Sequence, residues 1–148
     1  RVRPGAGCVL RTVLARDGRH FFRRQLGDGL GADRHGEARA VGAQPILVTS
    51  LARRTFDKDK IRGELKPWAD AAKKVAADKK VPVVDLFTLS VELHNKLGPV
   101  ESDTFNPMGK DGKPSDHTHL NEHGAEVIAK IIADELRKVA PDCAKLLK

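Results

Sequence analysis

Apolar residues recur along this chain with two different periods, and the change of period marks the elements. Gln44-Pro-Ile-Leu-Val-Thr-Ser50 is a short apolar run without alternation, which predicts a strand covered on both faces in a parallel sheet. Leu51 to Gly63 is a charged connection. Pro67 then stands where a first helical turn tolerates it, and Trp68, Ala71, Ala72, Val75 and Ala76 fall on one face at helical spacing. Val81-Pro-Val-Val-Asp85 reads as a second buried parallel strand, with Pro82 tolerable only near its beginning or on an edge. Thr88 or Ser90 can cap a short helix that ends before Gly98-Pro99. Residues 98–119 form a long loop bearing Gly, Pro and Asp, a feature that in a compact domain points to function. Asn121 is the predicted N-cap of the last helix and Glu122 favours its first turn. Val127, Ile128, Ile131, Ile132, Leu136 and Val139 make that helix's buried face, which stops before Pro141. Glu126 with Lys130 and Asp134 with Lys138 decorate its outside.

Strand, helix, strand, helix, loop, helix is an α/β pattern whose parallel strands require right-handed crossovers. Sites in such sheets lie beyond the carboxyl ends of the strands, where the long loop can reach. A length of 148 residues fits one domain with a usable core, and no apolar run approaches membrane-spanning length. The start, Arg1 to Arg11, shows neither an initiator Met nor the apolar stretch and cleavage site of a signal peptide. Cys8 and Cys143 can form at most one disulfide, which decides nothing about compartment.

The net charge of +7 invites a nucleic-acid reading, so its distribution matters more than its size. Residues 1–43 carry nine arginines against Asp17, Asp28, Asp33 and Glu37, a net +5 that leaves only +2 for the rest. This segment is rich in Arg, Gly and Ala and has no Lys, whereas from Lys58 onward Lys is the dominant base. Residues 1–42 are therefore expected to be an aberrant or disordered segment, and residues 43–148 the genuine C-terminal portion of a folded domain. The alternative is a basic, flexible arm. Cys8 to Ala15 could make a strand by composition; little else there shows a period. Arg23 and Arg24 beside Phe21 and Phe22 are the place where aromatics accompany basic residues, the sole support for a nucleic-acid-binding arm.

Chemistry concentrates at Ser115-Asp116-His117-Thr118-His119-Leu120-Asn121-Glu122-His123-Gly124. An Asp three residues before a His, in a turn leading into a helix, lets the carboxylate accept the imidazole Nδ1 proton and leaves Nε2 to take a proton from a nucleophile. The wording Asp116-x-x-His119-Leu-Asn-x-x-Gly, followed by an amphipathic helix, resembles the last sequence block of the GDSL/SGNH hydrolases, most closely the rhamnogalacturonan acetylesterase-like members. The resemblance extends through Gly42–Phe56, Val81–Leu86 and Leu97-Gly-Pro99. It implies a partial flavodoxin-like three-layer sandwich, whose first strands would come from residues 1–40, where no good candidate is seen. It also implies an ester hydrolase with His119 as general base and Asp116 as its orienter, transferring an acetyl group to water through an acyl-serine. The implied partner is acetylated carbohydrate or another small ester, with no cofactor, no nucleic acid and no membrane; family members are commonly secreted.

The family carries its nucleophile in a Gly-Asp-Ser motif, with oxyanion-hole donors from that Ser, from a Gly in a second block and from the Asn of a Gly-x-Asn-Asp block. None of these motifs occurs in the 148 residues. Ser50 follows the first strand but is expected to cap or turn; Ser90 and Ser102 have weaker claims, and Ser115 reads as a turn residue. His119-Leu-Asn-Glu-His123 also matches H-x-x-E-H, the inverted zinc-protease motif. That motif needs both histidines on one face of a continuous helix, whereas an N-cap at Asn121 leaves His119 outside it. The carboxylates Glu126 and Glu135 lie too close for a third ligand, and a cluster of His117, His119 and His123 is the remaining metal reading. His20, His35 and His94 offer no constellation. Walker A and dinucleotide-binding glycine motifs are absent.

Overall fold

The computed structural model describes residues 8–12, 34–145 and 147. Three parallel strands, β1 (Cys8–Thr12), β2 (Gln44–Val48) and β5 (Val83–Val84), form a sheet in the order β1-β2-β5. Cys8 lies opposite Gln44 and Thr12 opposite Val48, while Leu47 and Val48 pair with Val83 and Val84. One strand thus comes from residues 1–40, within the stretch Cys8 to Ala15 that could make a strand by composition, although that segment was expected to hold no good candidate for the family's first strands. Pro82 stands just before β5, where its missing N–H costs nothing, and its carbonyl accepts from Leu47 N.

Period-2 geometry explains the unbroken apolar run in β2. Successive side chains point to opposite faces, so Ile46 and Val48 join Val84, Leu86, Ile128 and Leu136 on one side, while Leu47 joins Ala76 and Val81 on the other. The first side is covered by α4 (Glu122–Val139) and the second by α2 (Lys66–Asp78). The result is helix, sheet and helix in three layers. Of the predicted α4 stripe, Ile128 and Leu136 are buried, and Ile131, Ile132 and Val139 pack against them. In α2 the buried positions are Ala69 and Ala76, so the stripe is rotated slightly from Trp68 toward Ala69.

Several local features differ from expectation. Helix α3 (Leu86–Ser102) is capped by Asp85, which accepts from Thr88 N, and not by Thr88 or Ser90. Asp85 also accepts from Thr49 Oγ1 and from Lys73 Nζ at 2.9 Å; burial pushes its pKa up, but the bonds from Lys73 and Thr88 together outweigh that and hold it below the ordinary carboxylate value. The helical path breaks at Gly98, with φ 77° and ψ 175°, a conformation that glycine adopts without a Cβ penalty. Beyond it, the first part of the expected loop is helical through Ser102 and continues as a 3-10 turn, Asp103–Phe105. The charged connection contains a short hairpin, β3 (Phe56–Asp57) and β4 (Lys60–Ile61). On α4 the ion pairs are Asp134–Arg137 and Glu135–Lys138, three apart and not four.

Helix α1 (Arg34–Ala40) precedes the expected boundary at residue 42, and its Arg39 donates to the carbonyls of Lys79 and Lys80 at the end of α2. A cation there satisfies carbonyls that the helix end leaves open. Cys143, in the short α5 (Pro141–Ala144), is buried and disulfide-bonded. No helix among the described residues is long and apolar enough to cross a membrane.

Asn121 accepts from Gly124 N as the predicted N-cap of α4. A Cβ at Gly124 would lie 3.1 Å from Phe105 Cβ, Phe105 Cδ1 and Leu120 Cδ2. Phe105 has little room to yield, because its ring packs edge-on against His94 and His123. We expect Gly124→Ala to lower unfolding free energy by about 1 kcal/mol in urea titrations, since overpacking outweighs the better helix propensity of Ala.

His94 is fully buried on α3, with Nδ1 3.0 Å from Ser102 Oγ and Nε2 without a hydrogen-bond partner. Burial first, and the nearby Arg54 cation second, push its pKa from 6.5 down to about 4. As pH falls below 6.5 the unfolded chain takes up this proton and the folded chain does not, so stability is full above about 6.5 and is lost toward 4. The loss over that window is on the order of 3 kcal/mol. Urea midpoints measured from pH 7.5 to 4 should fall for the wild type, and His94→Leu should flatten that part of the profile. The carboxylates Asp85 and Asp116, both depressed, act mainly below the ordinary carboxylate value of 3.8.

Candidate active site

The segment after the 3-10 turn holds Asp116 and His119. Residues 106–121 lead from the 3-10 turn to the start of α4, with a bridge between Met108 and Pro114 inside them. Ser115 donates to the Pro107 carbonyl and is a turn residue, as expected. Asp116 folds its carboxylate back on the chain: Oδ1 accepts from Thr118 N at 2.7 Å and from His119 N at 3.0 Å, and Oδ2 lies 2.5 Å from His119 Nδ1. The side-chain bond from His119, followed by the two backbone donors, holds the Asp116 carboxyl far below the ordinary carboxylate range. An ionised Asp116 keeps the imidazole proton on Nδ1, so neutral His119 presents Nε2 as its basic nitrogen. The imidazole is 75% exposed.

What holds this exposed couple is buried. Arg54, six residues beyond β2 and 1% exposed, sends its backbone N–H to the His117 carbonyl at 2.9 Å. Its Nε donates to Asn106 Oδ1 at 2.5 Å, and its Nη2 donates to the His119 carbonyl. Asn106 is itself fully buried. Because its oxygen faces Arg54, its Nδ2 must face Asp103 Oδ1 at 2.8 Å and His117 Nδ1 at 3.0 Å. That fixes a second tautomer, since His117 Nδ1 must be the acceptor and any proton of the neutral ring sits on Nε2. Asn121 completes the frame by donating to the carbonyls of Thr104 and Asn106. Burial lowers the Arg54 pKa, and Asp116 and Asp103 oppose that shift by favouring the charged form.

The serines fall in different places. Ser50 lies two residues past β2, buried, and its Oγ has no hydrogen-bond partner, so it performs neither the capping nor the turn role expected of it. Its neighbour Thr49 does that work, accepting from Phe87 N at 2.8 Å. Ser90 is fully buried, donating to the Phe87 carbonyl and accepting from Ala52 N. Ser102 is committed to His94, a buried pair where no constellation was expected.

The inverted zinc-protease pattern is divided by the N-cap. Helix α4 begins at Glu122, so His119 precedes it and does not share a helix face with His123, which packs on Phe105. Among the described residues no group of three or more His, Cys, Asp or Glu side chains is placed to hold a metal ion. Phe21, Phe22, Arg23, Arg24 and His20 lie outside the described residues; His35 falls in α1.

Arg54 and Asn106 were not singled out from sequence. Arg53-Arg54 reads like any surface pair of cations, and Asn106 like a loop residue. Their bond joins positions 52 residues apart, so no local spacing signals it.

No family model matches the chain. Rhamnogalacturonan acetylesterase RhgT of Bacillus subtilis (strain 168) is 36% identical over 110 residues, covering 69% of this chain and 47% of that protein. A second protein of the same organism, named "Probable rhamnogalacturonan acetylesterase YesY", is 26% identical over 102 residues, covering 69% and 46%. The chain thus spans about half the length of these curated relatives. Among solved structures, the crystal structure of the Bacillus subtilis protein YxiM superposes with a TM-score of 0.61 at 29% identity, over 72% of this chain and 29% of that one. With a parallel sheet layered between helices and an Asp-x-x-His couple at the entrance to the last helix, these likenesses establish that the chain belongs to the GDSL/SGNH hydrolase family.

Proposed function

We propose that Asp116 and His119 are the acid–base half of a Ser-His-Asp carboxylic-ester hydrolase, an acetylesterase acting on acetylated carbohydrate such as rhamnogalacturonan. The observation that carries this reading is the 2.5 Å contact of Asp116 Oδ2 with His119 Nδ1, in a couple whose imidazole is open to solvent. His119 Nε2 takes the hydroxyl proton of a serine as that oxygen attacks the acetyl carbonyl. The imidazolium, stabilised by Asp116, returns the proton to the departing sugar oxygen; a water activated by the same nitrogen then hydrolyses the acyl-serine. The names of the relatives support the acetyl and carbohydrate parts of this assignment.

Serine and oxyanion hole are the parts this sequence does not spell out, since it contains no Gly-Asp-Ser and no Gly-x-Asn-Asp. The 148-residue chain is therefore expected to turn over p-nitrophenyl acetate slowly. A chimera that adds a family-type N-terminal half should be active, and His119→Ala should then reduce kcat by roughly 10³- to 10⁴-fold, with Asp116→Asn close behind because it disturbs the imidazole tautomer. A chimera indifferent to His119→Ala would sink the assignment. Robust turnover by the unmodified chain, lost in both His119→Ala and Ser50→Ala, would instead identify Ser50 as the nucleophile. Acetate release from acetylated rhamnogalacturonan, compared with other acetylated polysaccharides, tests the substrate.

A further inference from the structure

We propose that Arg54 is a positioning residue for His119: its buried guanidinium ties the backbone of the base to the connection that follows β2, and so sets where the imidazole stands. This inference rests on the reading of His119 as the general base.

The imidazole is exposed, and its one side-chain partner is Asp116 on the same turn. Asp116 and His119 hold each other, and nothing in their mutual bond relates them to the sheet. That relation comes through the backbone of residues 117–119, and Arg54 meets this backbone twice, by its own N–H to the His117 carbonyl and by Nη2 to the His119 carbonyl. The same side chain reaches Asn106 through Nε, and Asn106 holds the His117 ring and Asp103. A planar fork can serve Asn106 Oδ1 and the His119 carbonyl together because Nε and Nη2 diverge from one rigid group. A lysine ammonium at that position carries the charge but has no such fixed pair of donors. Arg54 is also the largest fully buried side chain described, and a guanidinium withdrawn from water needs compensation from the groups it bonds. Two of those groups are parts of the loop that bears the base, and the carboxylates that favour its charge are Asp116 and Asp103. The orienting carboxylate therefore bonds the imidazole and also favours the charge of Arg54.

The test uses the full 148-residue chain with ¹⁵N-labelled histidine. In the wild type, His119 should show a slowly exchanging, far-downfield Nδ1 proton that disappears in Asp116→Asn, whereas His117 should show none. In Arg54→Met the His119 proton should broaden into exchange with water. Amide resonances of β2 and the middle of α4 should stay in place. Arg54→Lys should not restore the signal. An unchanged Nδ1 proton in folded Arg54→Met, or full rescue by lysine, would overturn the proposal. A second measurement needs no variant: the Arg54 Nη2 protons of the wild type should be resolved at low temperature and show cross-peaks to the His119 backbone. Freely rotating, averaged guanidinium protons would overturn it equally. These signatures are independent of turnover. An Arg54-dependent couple in a chimera whose activity ignores His119→Ala would leave the positioning standing and remove only the catalytic assignment.

Discussion

Strand β2 is buried on both of its faces, and most of the remaining structure follows from having to cover it. Ile46 and Val48 demand an apolar surface on one side and Leu47 on the other. With each such side chain worth about 1.5–3 kcal/mol on burial, neither face can be left to water. Helix α4 answers on the first face and α2 on the second, and the parallel neighbours β1 and β5 satisfy the strand's own N–H and C=O groups. A parallel arrangement sends every crossover back to the same end, so the carboxyl ends of the strands collect the loops.

The consequence for chemistry is that the polar residues just past β2 become structural. Thr49 docks the start of α3 and shares Asp85 with Lys73, and Arg54 docks the loop that carries Asp116 and His119. Isolating a guanidinium from water costs several kcal/mol, so Arg54 is tolerable only because the loop supplies acceptors and two carboxylates. Loop and cation thus stabilise one another. The His119 imidazole itself stays exposed, while Arg54 and Asn106, which bond its surroundings, are withdrawn into the protein.

The short block from Asp116 to Gly124 compresses three physical requirements into nine positions. Asp116 must be close enough to fold back on His119, Asn121 must accept a free N–H of the first turn of α4, that of Gly124, and Gly124 must let Phe105 approach the helix. Each requirement is met by a residue type that the local geometry demands. The same Asn121 that caps the helix also keeps His119 off it, which is why a pattern that looks like a zinc motif on paper becomes a turn with an Asp–His couple.

By itself the sequence determined the features that depend on local periodicity and on near neighbours: two doubly buried strands, the apolar stripe of the last helix, its cap at Asn121, and the pairing of Asp116 with His119 across three residues. Those interactions span a few positions, so their geometry is written in spacing. Tertiary structure decided whatever joins distant segments. The pairing of Cys8–Thr12 with β2, the docking of Arg39 on the end of α2, and the burial of His94 beside Ser102 and Phe105 all depend on partners far away in the chain or across a kink. Arg54 is the clearest case. In the sequence it is one of two adjacent arginines in a charged stretch, and only the return of residues 106–119 to the connection after β2 supplies acceptors that allow a cation to be buried there.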